Sequence, residues 1–162
     1  MLYHASKVGG IQVLFPKKHP ALPTPVVFAT SDQNYALAMT YGSGDMLAVS
    51  YGIEKETGKR KLYIDEIKKG TLSLLKKKAS LYSLKNEEFE QNSKFKKEEF
   101  IAYTEQTVLG EHKIENVYEE LQRRGVKLIP YAEVLHSLES RGKDPLNVFI
   151  KNKQNRFGTI KG

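Results

Sequence analysis

Cysteine is absent from all 162 residues, which excludes a disulfide framework, a thiolate metal site and a cysteine nucleophile together. No apolar run approaches the roughly 20 residues needed to cross a bilayer, and the opening residues lack the apolar core of a secretory signal. A cytoplasmic protein with no membrane partner is therefore expected. A glycine-rich phosphate loop, an H-E-x-x-H zinc pair and a G-x-S-x-G nucleophile elbow are also missing. Histidine occurs only at His4, His19, His112 and His136, without metal-ligand spacing, so no metal is expected.

What the chain does have is 40% hydrophobic and 28% charged residues, a balance that suits a globular domain. Its length suffices to bury a core without staples. The formal net charge is +7, with lysines grouped at Lys17–Lys18, Lys68–Lys69, Lys76–Lys78 and Lys96–Lys97. Such a surface favours phosphate-bearing partners, nucleic acid or a dinucleotide, by long-range attraction. It also serves simply as a solvated face. No repeat or linker divides the sequence, so residues 1–150 are expected to form one domain and 151–162 a polar, basic tail.

Strand-like stretches alternate with short helical ones. "LYHAS" and "VVFAT" read as strands, separated by "FPKKHPALPTP", whose prolines predict an irregular loop. "SDQNYALAMTYG" predicts a short helix capped by Ser31 or Asp32 and ended by Gly42. "MLAVSYGIEKETGKRKLYIDEI" predicts a hairpin turning at "ETGK". "ASLYSL" reads as a strand, "KNEEFEQN" as one or two helical turns, and "EFIAYTEQTVL" as one extended, alternating segment. In "IENVYEELQRRG" the residues Ile114, Val117, Tyr118 and Leu121 predict one apolar helix face, ended by Gly125. "VKLIPY" and "AEVLHSLESRG" predict a last strand and helix. The class is α+β with a mostly antiparallel sheet and short flanking helices.

Three ordered segments carry candidate chemistry. "LYHAS" alternates a histidine and a serine on one face of a strand. "VVFATSDQNYALAMTYG" passes from a strand into a helix rich in tyrosine and alanine. "KKEEFIAYTEQTVL" places glutamates at the mouth of a late strand. In that order these segments resemble the ADP-ribosyltransferase superfamily, which includes the poly(ADP-ribose) polymerases and many bacterial and phage toxins. The resemblance covers about residues 2–110.

The resemblance implies a split antiparallel sheet that binds NAD as substrate and transfers ADP-ribose to a protein or nucleic-acid acceptor. It implies His4 as the ribose contact, with Ser6 beside it, and Phe28 and Thr30 in the second motif strand. Tyr35 or Tyr41 would stack on nicotinamide, and Glu99 would be the carboxylate that stabilises the developing positive charge. Strand alternation sets Glu99, Ile101, Tyr103 and Glu105 on one side, against Glu98 and Phe100 on the other, with Glu105 as fallback. Ala5 stands where the family commonly has glycine, "TPVV" lacks the glycine that often precedes the second motif, and no Ser-x-x-Tyr occurs. Those departures suit an alternative, a catalytically inactive module binding nucleotide or nucleic acid, while the lysines suit another, a small nucleic-acid-interacting protein of a mobile-element or toxin system.

Overall fold

The computed structural model describes residues 1–41 and 46–144. Gly42, expected to end the first helix, and the tail 151–162 lie outside the described residues. The architecture is α+β, with mostly antiparallel sheets and a few short helices.

Strands β1 (Leu2–Ser6), β3 (Val27–Thr30), β6 (Ala79–Leu84), β7 (Glu99–Ala102) and β9 (Gly110–Ile114) form a five-stranded antiparallel sheet in the order β7-β3-β1-β6-β9. The hairpin β4 (Leu47–Ile53) and β5 (Arg60–Glu66) is joined by β10 (Lys127–Ile129), which runs parallel to β5. A small pair, β2 (Val13–Leu14) and β8 (Gln106–Thr107), closes a third sheet. The hairpin turns at Gly58, whose φ of 69° is open to glycine at no steric cost.

Helix α1 (Gln33–Tyr41) begins where the sequence places it. Asp32 Oδ1 accepts from Asn34 N at 2.9 Å and the Asp32 carbonyl from Ala36 N at 3.1 Å, so Asp32 rather than Ser31 is the cap. Helix α2 (Val117–Arg123) is capped by Asn116, and α3 (Val134–Ser140) follows a 3₁₀ turn at Tyr131–Glu133.

Alternation along the strands divides the core in two. Tyr3, Ala5, Ala79, Leu81 and Ile114 face α1, α2 and the three-stranded sheet, where Leu37, Leu62, Ile64 and Leu121 are buried. Leu2, Val27, Ala29, Leu84 and Ala102 face the other side with Leu14, Phe89 and Phe100. Helix α3 is tied to β5 by a buried ion pair, Arg141 Nη2 to Asp65 Oδ1 at 2.8 Å. Gly52 leaves room for it, since a β-carbon there would lie 3.1 Å from Arg141 Cδ and 3.2 Å from the Tyr63 ring.

Three expectations are corrected. Ile114 is not on the helix face but ends β9, because Asn116 caps the helix two residues later. "KNEEFEQN" holds no helix; Phe89 N closes a turn on Asn86 O, and Glu90 then bridges to Ile101. "EFIAYTEQTVL" is not one strand but β7 and β8, separated by a bend at 103–105.

Candidate functional site

The five-stranded sheet forks beside His4. β1 pairs with β6 at five positions and β3 pairs with β7 at four, but β1 and β3 meet only at Tyr3↔Thr30. Beyond that point the imidazole fills the gap, with His4 Nδ1 2.8 Å from the Phe28 carbonyl. A carbonyl only accepts, so Nδ1 carries the proton and Nε2 presents a lone pair. Burial, aided by the charge of Lys17, lowers the pKa of His4, against the opposing pull of the Phe28 carbonyl. The ring is therefore a neutral acceptor at its outer nitrogen.

On the far side of β3, Glu99 is half-buried and accepts a hydrogen bond from the Tyr35 hydroxyl, which α1 carries across. Register places Tyr3, Thr30 and Glu99 in one row. His4 and Glu99 thus lie on the two strands that neighbour β3, and because Glu99 shares a row with Tyr3, alternation turns His4 toward the opposite face of the sheet.

Around Tyr35 the structure gathers residues that sequence reasoning missed. Its ring stacks on Tyr51 with centroids 5.9 Å apart and planes 11° from parallel. The Tyr51 hydroxyl donates to Asp32 Oδ2 at 2.6 Å, so the helix cap has a second duty. The guanidinium of Arg60 covers the Tyr51 ring at 3.9 Å and lies 2.6 Å from Glu98 Oε1. Lys96 stands 5.5 Å from the Tyr35 centroid.

Glu98 is only 7% exposed, yet neither carboxylate oxygen receives a hydrogen bond among the described residues; the Arg60 contact is an ion pair without hydrogen-bond alignment. Burial raises the pKa of both tyrosines far above the usual range. The hydrogen bonds to Glu99 and Asp32 and the charge of Glu98 push the same way, so both hydroxyls remain donors. Three carboxylates, two stacked phenols and one guanidinium converge here.

A second ring group lies over Phe28. His19 packs on Phe28 at 4.9 Å and on Phe95 at 5.5 Å, and its Nδ1 accepts from Ala21 N at 3.0 Å. Burial lowers the pKa of His19, and the charge of Glu99 partly offsets this.

The remaining sequence candidates lie elsewhere or have local tasks. The Ser6 hydroxyl accepts from Val8 N at 3.1 Å, and Thr30 Oγ1 accepts from Asp32 N at 3.0 Å. Tyr41 sits at the other end of α1, its hydroxyl on the Lys78 carbonyl at 2.5 Å. Glu105 is exposed in the bend after β7, off the alternation that had set it beside Glu99. Among the described residues no group of three or more His, Asp or Glu could hold a metal, and no helix is long and apolar enough to cross a membrane.

No family model matches the chain, no curated protein matches it, and no solved structure matches it.

Proposed function

We propose that the chain is an NAD-dependent ADP-ribosyltransferase-like enzyme with a split-sheet core. The observation that carries this reading is Glu99 on β7, its carboxylate held by the Tyr35 hydroxyl from α1. The resemblance gives His4 the ribose contact through its Nε2 acceptor, on the face of the sheet opposite Glu99. Glu99, with one oxygen fixed by Tyr35, offers a preoriented negative charge to a ribose that becomes cationic as nicotinamide leaves. Phe28 and Thr30 form the strand between them, and Tyr35 rather than Tyr41 is the aromatic that belongs with the carboxylate.

The Glu99→Gln variant keeps the shape and removes the charge. It is expected to bind NAD within about threefold of the parent and to lose 100-fold or more in nicotinamide release, the size of an electrostatic contribution of this type. Calorimetric NAD titration and nicotinamide chromatography measure the two. Equal turnover by the variant and the parent refutes the assignment.

A second reading has its own observation. Lys7 and Lys77 stand 4.9 and 5.8 Å from the Tyr41 centroid, and Lys76 stands 5.1 Å from that of Tyr118. Ammonium groups interleaved with aromatic rings suit a nucleic-acid-binding module. On that reading a labelled single-stranded oligonucleotide binds with strong salt dependence, and Lys7→Gln/Lys77→Gln reduces both affinity and salt slope.

A further inference from the structure

We infer that two copies of the chain associate through the outer edge of β9, so that their five-stranded sheets join edge to edge about a twofold axis at His112. β9 is the last strand in the order β7-β3-β1-β6-β9, paired with β6 on one side and, among the described residues, with no strand on the other. Gly110, Glu111, His112 and Lys113 are all exposed. An edge of this kind presents unpaired N–H and C=O groups, a template for a further strand. The opposite edge of the same sheet is partly taken: Glu90 N donates to the Ile101 carbonyl and Ile101 N to the Glu90 carbonyl, both at 2.9 Å.

The charges along β9 select both the occupant and the register. Glu111 and Lys113 project on one face, beside Tyr82 and Ser80 of β6, and His112 projects on the other beside Leu81. In an antiparallel pair centred on His112, Glu111 of each copy stands directly opposite Lys113 of the other, on the same face. Sliding one copy by two residues sets Glu111 opposite Glu111, or Lys113 opposite Lys113. A one-residue slip sets Glu111 opposite His112 and Lys113 opposite Gly110. A strand bearing lysine alone would repel its own copy, the usual protection of a free edge. The Glu-His-Lys order attracts it instead, in one register. Glu111 is also held in position, since its carboxylate accepts from Ser80 Oγ at 2.6 Å and from Gly10 N at 3.2 Å.

The pairing is isologous, the same strand from each copy, so it closes at two and leaves no second β9 edge to extend. Five residues a side make a contact smaller than a standard interface, and a weak dimer follows, half formed at about 100 µM. Glu99 lies on β7, at the far edge of the sheet, so pairing through β9 leaves its surroundings open in both copies.

Sedimentation velocity on the full chain, from about 10 µM to about 1 mM, tests the association. The parent is expected to pass from monomer to dimer over that range. Lys113→Glu opposes glutamates across the pair and is expected to weaken the dimer by about tenfold or more. His112→Cys introduces a thiol on the twofold axis of a chain that has no cysteine of its own. Mild oxidation is expected to crosslink this variant about tenfold faster than Glu139→Cys, an exposed position on α3, because directly opposed strand residues lie within disulfide reach. A chain that stays monomeric at the top of the range overturns the inference. So does a dimer that Lys113→Glu leaves intact, or crosslinking equally fast at the two positions. Should Lys113→Glu fail to fold, the crosslinking comparison decides.

Discussion

Tyr35 occupies the site differently from the stacking role the resemblance implies, because its hydroxyl is committed to Glu99 and its ring to Tyr51. His4, Tyr35 and Glu99 were legible from short motifs, each lying within a recognisable strand or helix. Arg60, Tyr51 and Glu98 were not. The first two arrive from a hairpin whose docking no local pattern encodes. Glu98 precedes β7, where Glu99 N bonds the Lys96 carbonyl in a turn, so strand alternation has no hold on it. At this scale His4 gives a pH dependence. Its folded pKa lies below the ordinary 6.5, so the unfolded chain takes up the proton first as pH falls. The stability it contributes is complete above pH 6.5 and is lost as pH falls toward the lowered folded value. His4→Asn, which retains a donor for the Phe28 carbonyl and cannot titrate, is expected to flatten the fall in urea-unfolding free energy between pH 7.5 and 5.5. Some slope remains, because the pKa of His19 is lowered as well.

Among the elements, the helices that carry strong end signals were the readable ones. Asp32 and Asn116 cap α1 and α2 through side-chain acceptors, and Gly125 follows α2 at a φ of 83°. "KNEEFEQN" has acidic residues without a helical apolar stripe, and Phe89 instead packs into the core under β1 and β3. The two-residue strands β2 and β8 have no periodicity to read; only their mutual pairing defines them. The docking of α3 was hidden for another reason: it depends on Asp65, a charge in an otherwise apolar strand, answered by Arg141 far along the chain. Burial raises the pKa of Asp65, and the Arg141 charge acts against it. Arg141→Ala leaves that carboxylate buried and unpaired, which is expected to cost about 3–5 kcal/mol, measured by urea unfolding. Arg141→Ala/Asp65→Leu should recover much of the loss by removing the stranded charge together with its partner.

For the molecule as a whole, the sequence supported the α+β class but not the division into three sheets. Strand order depends on which edges meet, and a parallel β5–β10 pair has no signature in a three-residue strand. The cluster containing Leu37, Ile64, Leu81 and Leu121 draws on the five-stranded sheet, the three-stranded sheet and two helices. A shared core of this kind couples the sheets, so urea unfolding is expected to show one transition by circular dichroism and tyrosine fluorescence alike. Ile64→Ala, at a position 0% exposed, should lower stability by about 2–5 kcal/mol without separating the two signals. The strand order also has a consequence for biosynthesis. β1 emerges from the ribosome first but lies between β3 and β6, and the β5 edge stays open until β10 follows α2. A nascent chain halted before residue 127 therefore leaves the β5 edge unpaired and lacks Val134 and Leu138 of α3, a state prone to capture by chaperones or to aggregation. Synthesis must run nearly to the end of the described residues before the β5 edge is covered, so premature termination is expected to yield aggregation-prone fragments.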